Sequence, residues 1–541
     1  MTATSRVHAA LACAVVLAAA AACGDSGPRR GGTVVIAAGN DLDHANPLIT
    51  VDAWTNEVLR YVLFTPLLRY GPDLDYRPAL AESWEMDGDT AVVFHLRDDV
   101  FWHDGARVSA YDVLFTVERA RDPATGFPNA GYFAAWREGE VSDSFTVRFR
   151  LVPGGDPLAG LPFTPPVPKH LLDSIPAEAM RTAAFDRSPV GNGPFRFVST
   201  RAGDRWVFER DEDYPEGLGG PPLLDRLVLR IIPENSAQLT ELRVGEVDLA
   251  LQPTPEQVGP LSERAGIRAV VAPSRQFTMV AWNGARSPLD RPDVRQALAM
   301  AIDRQAILDA LRSGLGEVAT GPIMPFHWSF DPELAPVPYD PERARSLLAE
   351  AGIEDRDDDG VLELPGGEEM ALELKMPAGS DYRRDVAEAV RADLAALGVR
   401  ATTRATEATT LFADITSPER RFDAVLVGWS GDVRLDFHDT FHSDALGGPL
   451  QFASYSNPVL DSVMGLAEAA TDREAAIPLW RRVQQILRDE QPWTPLYYHT
   501  DAFLARERVR SLDADIRGVL VNVQRWWVEE SPAGGDVAGQ D

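Results

Sequence analysis

LAESWEMDGDTAVVFHLRDDVFWHDGARVSAYDVLFTVER, residues 80–119, divides into three elements. From Thr90 to Arg97 the residues alternate: Val92, Phe94 and Leu96 share one face, Val93, His95 and Arg97 the other. Period two marks a half-buried strand, because successive side chains leave a strand on opposite sides. Phe101-Trp102-His103-Asp104-Gly105 follows as an aromatic segment closed by an Asp-Gly turn. Ser109 and Asp112 stand at capping-box spacing ahead of a helix whose Val113, Leu114 and Val117 line one side.

Outward from this stretch, residues 32–38 read as an opening strand and 57–68 as an amphipathic helix. Downstream, 143–151 alternate as a strand with Phe145, Val147 and Phe149 on one face, and a proline-rich run occupies 162–168. Gly191-Asn192-Gly193 is a turn into a strand; no helix start follows it, so it is not a phosphate loop. Strand 227–232, helix 236–243 stopped at Gly245, and strand 247–250 alternate as in an α/β domain with parallel strands. Residues 277–283 form a strand at a crossing between domains, and 492–498 the return crossing. Pro292 opens a helix expected to reach Leu311. Asp340 caps another, with Pro341 at its first position and Gly352 at its end; 381–397 is a third, stopped by Gly398. Residues 421–428 are a buried strand followed by Trp429-Ser430-Gly431-Asp432. Helix 471–490 carries Thr471 and Glu474 as a capping box, and Pro478 is expected to kink it or delay its start.

At 541 residues the chain exceeds one ordinary core, and two or three domains are expected. Its 45% apolar and 25% charged residues are those of a soluble globular protein. A formal charge of -30 argues against a nucleic-acid partner, which needs a basic footprint. The two cysteines, Cys13 and Cys23, both lie at the extreme N-terminus, so the mature chain has no intrachain disulfide and no cysteine metal site. Arg6 and His8 precede an apolar run, 9–22, too short for a membrane span and suited to a signal peptide; Cys23 and a small polar tether follow at once.

LAESWE, FHLRDDVFWHDG and SAYDVLFTVER together resemble the signature of the family-5 extracellular solute-binding proteins, the receptors of peptide, nickel and related ABC importers. Further pieces recur to about Tyr498, among them Gly191-Asn192-Gly193-Pro194-Phe195 and the helix start at Pro292. The resemblance implies an α/β, two-lobed periplasmic-binding-protein-like fold of type II with an extra domain inserted in the first lobe. Lobe I would comprise 30–75, 187–275 and 492–531, the extra domain 76–186, and lobe II 276–491. Residues 1–22 would be a lipoprotein signal, with lipid on Cys23, 23–29 a tether and 532–541 a disordered tail. Ala20 departs from the bulkier residue common three before such a cysteine. The implied protein is no enzyme and needs no cofactor. It is a monomer, anchored by lipid to the cell membrane and facing the periplasm or exterior, that closes on a solute and docks on an ABC permease.

The resemblance also supplies the leading site. An aspartate in a Gly-Trp-x-x-Asp segment pairs with the ligand α-ammonium in the peptide receptors, and Asp432 stands there, with Trp429, Ser430 and Gly431 beside it. The segment follows an apolar strand, where ligands of α/β sheets gather. The competing reading is a turn-capping Asp. His438 and His442, four apart beside Asp436, Asp439 and Asp444, are candidate metal ligands against a polar loop or exposed helix face. Asp355, Asp357 and Asp359 before Gly360 begin like a calcium loop but lack the twelfth-position Glu, where Gly366 stands, and a solvated turn competes. Gly428-Trp429-Ser430-Gly431 narrowly misses a nucleophile elbow, and neither a Walker A nor a zinc-protease motif occurs. An oligopeptide is the leading ligand; an oligosaccharide stacked on some of the 12 tryptophans, or a nickel or metal chelate, is the alternative.

Overall fold

The computed structural model describes residues 28–88, 90–152, 156–431, 435–470 and 472–529. Two long antiparallel strands, Ile267–Trp282 and Trp493–Arg506, run through the middle of an 11-stranded sheet. On one side the sheet continues through Ala424–Ser430, Ala371–Pro377 and Arg400–Thr406. On the other it continues through Leu249–Ala250, Thr33–Ala38, Arg226–Ile231, Arg205–Arg210 and Phe195–Arg201. The central pairing is regular from Ile267 opposite Arg506 to Pro273 opposite Thr500. Its register then shifts before Phe277 opposite Tyr498. That irregularity divides the sheet into two lobes joined by two adjacent chain segments.

Each lobe is an α/β unit. In the first, Thr33–Ala38 pairs parallel with Arg226–Ile231 and Leu249–Ala250, and helix Asn235–Val244 makes the connection between the latter two. In the second, Ala371–Pro377 pairs parallel with Arg400–Thr406 and Ala424–Ser430, and helix Asp381–Leu397 covers them. Along the crossing strand the side chains alternate into different cores. Phe277, Met279 and Ala281 enter one with Val425 and Trp480, while Val280 and Trp282 enter another with Leu374 and Val390. Both faces of the crossing strand are therefore covered here, which is why residues 277–282 are buried throughout, whereas the edge strand Arg400–Thr406 is polar and partly exposed.

The opening stretch forms part of a separate four-stranded sheet, in the order Ala81–Asp87, Ala91–Leu96, Thr146–Leu151, Trp136–Asp143. Val92, Phe94 and Leu96 are buried as their alternation requires, and Phe149 meets Trp136 at 4.7 Å between ring centroids. Ser109 and Asp112 form the capping box of helix Ala110–Arg121, the Ser109 amide donating to the Asp112 carboxylate at 2.9 Å. The core of this sheet is continuous with that of the first lobe, and Phe64 meets Trp102 edge-on at 6.4 Å.

Four sequence expectations need correction. The helix expected over 57–68 begins at Ala53, capped by Asp52, and its last turn, Leu59–Leu63, is a π-helix; Leu68 already belongs to a strand. The Asp52 carboxylate accepts from the Thr55 amide at 2.7 Å and so starts the helix one turn earlier than its apolar periodicity suggests. The helix expected from Pro292 to Leu311 is two helices, Pro292–Ala301 and Arg304–Arg312, because the Asp303 side chain accepts from the Ala306 amide and starts a new helix. The strand expected over 143–151 is the end of one strand and the start of the next, with Ser144 and Phe145 at the turn. The strand expected to end at Gly428 continues through Trp429 and Ser430, held in register opposite Phe277 and Gln276. Helix Arg473–Glu490 is capped by Asp472 and contains Pro478 near its start; Thr471 lies outside the described residues, as do Cys23, Asp432 and the tail 532–541. No described helix is long and apolar enough to cross a membrane.

Candidate ligand-binding cleft

A cavity of about 660 Å³ opens where the two central strands pass between the lobes. Residues 272–276 and 499–503 form its floor, the same segments at which the strand register breaks. The first lobe contributes Trp54, Glu57 and 515–519 to its walls, and the second contributes Arg312 and Ser430. Ser430 also lines a neighbouring cavity of about 240 Å³ with Trp429, Gly431, Leu435 and Asp436. Leu435 and Asp436 in turn line a third, of about 670 Å³, with Tyr70 and Tyr76 on one side and Trp328 and Trp480 of the second lobe on the other. These shared walls make one elongated cleft with a polar floor at the crossing and an aromatic mouth.

The floor carries opposed charges. Asp501 faces the cleft; burial raises its carboxyl, against a Ser274 hydrogen bond and the charge of Arg312. Arg312 is held by the carbonyls of Leu315, at 2.8 Å, and Thr500, at 3.2 Å. His499 shares a proton with Thr278 Oγ1 at 2.8 Å. Burial, reinforced by Arg312 and Arg383, lowers its pKa to about 3, so the imidazole is neutral at any physiological pH. Burial also raises Glu57, although Arg60 and the amides of Leu520 and Val519 oppose it. Arg517 is paired with Asp515 at 2.5 Å and reaches the Tyr70 carbonyl at 2.9 Å, tying the floor to the mouth. At the mouth Tyr70 stacks on Tyr76 at 5.3 Å, and the Arg473 guanidinium lies 5.2 Å from the Trp328 ring.

Of the leading sequence candidates, Trp429 packs with tilted rings against Trp493, at 5.0 Å, and Phe452, at 6.1 Å; Ser430 is exposed to the cleft and Gly431 is buried. Asp432 is outside the described residues. His438 and His442 come together, their rings stacked at 4.5 Å, with Asp444 at 3.1 Å from His438 Nε2 and 2.7 Å from His442 Nδ1. Burial lowers the His438 pKa, but Asp439 and Asp444 outweigh it and the net shift is upward. The potential ligand atoms of these three residues lie within 4.8 Å of one another. Asp355, Asp357 and Asp359 also converge, joined by Glu363 in place of the missing twelfth residue. Their carboxylates are occupied by the turn's own amides, those of Gly360, Asp359 and Val361, and Glu363 by that of Arg356, as in a self-contained turn.

Sequence reasoning missed Trp54, Glu57, Arg275, Arg312 and Asp501. The first two stand beside an unrecognised helix start. Arg275 and Asp501 lie within the crossing strands and Arg312 ends helix Arg304–Arg312, and only the pairing of those strands and the packing of that helix bring them together.

The family model for bacterial extracellular solute-binding proteins, family 5 Middle, matches residues 75–444. The chain belongs to this family. The solute-binding protein is 27% identical over 507 residues to the oligopeptide-binding protein AppA of Bacillus subtilis, covering 93% of this chain and 92% of that one. It is 30% identical over 451 residues to the heme-binding protein A of Haemophilus influenzae, covering 78% and 79%. The structure of Bacillus subtilis AppA in complex with a nonapeptide superposes with a TM-score of 0.71 at 26% identity, over 93% of this chain and 100% of that one. NikZ from Campylobacter jejuni in complex with Ni(L-His) superposes at 0.70 with 26% identity, over 92% and 99%.

Proposed function

We propose that this solute-binding protein captures an oligopeptide between its lobes and delivers it to an ABC permease. The observation that carries this reading is the continuity of the cleft, from the charged floor at Asp501 and Arg312, past Ser430, to the aromatic mouth at Tyr70 and Trp328. An extended chain needs length, pockets for side chains and charges for its ends, and this cleft offers all three. The nonapeptide bound by AppA supports it. In this reading Trp429, Ser430 and Gly431 flank the peptide start and Asp432 takes its α-ammonium. The lobes, 30–75, 187–275 and 492–531 against 276–491, close about the two crossings, with 76–186 as an appended domain on lobe I. Cys23, lipidated after signal removal, tethers the protein to the membrane as a monomer.

A second reading rests on His438, His442 and Asp444, whose convergence suits a transition-metal chelate. A thermal-shift screen of the purified chain with two- to nine-residue peptides, oligosaccharides and nickel-histidine separates them. A peptide at a hundred times its Kd stabilises by about 2.7 kcal/mol. Stabilisation by nickel-histidine or an oligosaccharide, and by no peptide, overturns the peptide reading.

A further inference from the structure

Away from the cleft, a cavity of about 400 Å³ lies where the aromatic segment Phe101-Trp102-His103 packs against the first lobe. Its walls include Trp102, His103, Asn192, Arg196, Asp211 and Tyr214. Trp102 and Asn192 are each 1% exposed, yet Trp102 Nε1 and Asn192 Nδ2 have no hydrogen-bond partner in the protein. The rest of Asn192 is firmly held: its side-chain oxygen accepts from the Thr65 amide at 2.9 Å, and its carbonyl from Thr65 Oγ1 at 3.0 Å. The free amide donors are therefore not the result of a loose side chain.

His103 is fixed in the same way. Its backbone amide donates to the Gly191 carbonyl at 2.8 Å, and its Nε2 lies 3.0 Å from the Gly193 carbonyl. A carbonyl only accepts, so Nε2 carries the proton and Nδ1 presents a lone pair. That Nδ1 is buried and has no partner. Arg196 places one terminal nitrogen on Glu209 at 2.9 Å and leaves its buried Nε unpartnered. Asp211 receives only a long hydrogen bond, 3.5 Å, from the Asp213 amide. Buried polar groups are almost always paired, and four unpaired ones around a single cavity indicate that something other than the protein completes them.

The charges narrow its chemistry. A simple anion at Arg196 would sit beside the carboxylates of Asp211 and Asp213, and a simple cation beside the guanidinium. A molecule carrying both charges meets neither conflict. Neutral donors at Trp102 and Asn192 complement a carboxylate, and the His103 lone pair with Asp211 complements an ammonium. We propose that this cavity binds a small zwitterion, an α-amino acid, its carboxylate toward Arg196 and its ammonium toward Asp211. It would be a second site on this solute-binding protein, independent of the interlobe cleft.

The test is calorimetry on the full chain with L-alanine, L-serine and L-phenylalanine, against propionate and methylammonium as single-charge probes. At least one amino acid is expected to bind one-to-one, and neither single-charge probe to match it. Arg196→Gln and Asp211→Asn should each weaken that binding tenfold or more, while the cleft variant Asp432→Asn leaves it unchanged. The proposal is overturned if none of the three amino acids binds, if propionate binds as well, if both cavity variants bind normally, or if only Asp432→Asn abolishes binding. Should the cavity variants fail to fold, the Trp102 indole N–H resonance of the wild-type chain decides. It moves on saturation if the site is real, and an unmoved signal means the cavity holds water alone.

Discussion

Arg275 and Gly431 grip each other from both directions. The Gly431 amide donates to the Arg275 carbonyl at 2.6 Å, and the Arg275 guanidinium donates to the Gly431 carbonyl from Nε at 3.2 Å and Nη2 at 3.1 Å. Arg275 stands at the register break of the crossing strand and Gly431 ends the Trp429-Ser430-Gly431 segment, so one contact fixes the hinge to the cleft wall. Hydrogen bonds from a charged donor contribute about 1.5–3 kcal/mol, and this partly exposed pair belongs at the low end. Arg275→Ala should therefore weaken peptide binding about tenfold while moving the unfolding midpoint little. Unchanged affinity by calorimetry would mean that the wall does not need this anchor.

Gly518 is a stability position. Its φ is +125°, and a Cβ there would lie 2.2 Å from Glu57 Oε1, the atom that accepts from the Leu520 amide at 2.7 Å. Gly518→Ala must strain the backbone, displace Glu57 and unpair that amide together. A loss of about 2–4 kcal/mol is expected in urea unfolding. A loss below about 1 kcal/mol would show that Glu57 moves aside freely.

His499 and His103 make the fold acid-sensitive. Their folded pKa values, about 3 and about 4, lie below the ordinary 6.5, so between those limits the unfolded chain binds protons that the folded chain does not. Stability then falls as pH drops below about 6.5, by up to about 1.4 kcal/mol per pH unit for each histidine. The raised carboxyls of Asp501 and Asp186 act in the opposite sense, so the comparison must be between variants. His499→Gln should retain about 2 kcal/mol more of its neutral-pH stability than wild type on going from pH 7 to pH 5. Parallel urea midpoints for the two proteins across that range would exclude a buried neutral His499.

Asp432 is tested through its ligand. A carboxylate about 4 Å from a peptide ammonium attracts it by roughly 4 kcal/mol at an effective dielectric of 20, before desolvation. Asp432→Asn should cost about 2–4 kcal/mol, or roughly 30- to 1,000-fold in Kd. N-acetylation of the peptide should cost wild type a similar factor and the variant far less. Penalties that simply add across the four combinations would remove Asp432 from the amine site.

Cys23→Ser should move the protein from the membrane fraction to the soluble exported fraction, since two or more acyl chains anchor stably and a bare tether does not. A wild-type chain that is already soluble, with no mass added at Cys23, would refute lipidation.

The α/β class, the elements around 80–119 and most helix ends were legible in the sequence. They depend on local rules: alternation at Val92, Phe94 and Leu96, a capping box at Ser109 and Asp112, and left-handed stops at Gly245 and Gly398. Motif resemblance brought the family within reach and pointed to Trp429, Ser430 and Gly431, which the fold sets along a cavity of about 240 Å³. The cleft itself was not legible. Asp501 lies 226 positions from Arg275 in the chain (501 − 275), and the two share a floor only because Ile267–Trp282 and Trp493–Arg506 pair antiparallel with a register break. The unpaired atoms of Trp102, His103 and Asn192 were equally hidden. Hydrogen-bond satisfaction is a property of the folded surroundings, which one-dimensional spacing does not encode.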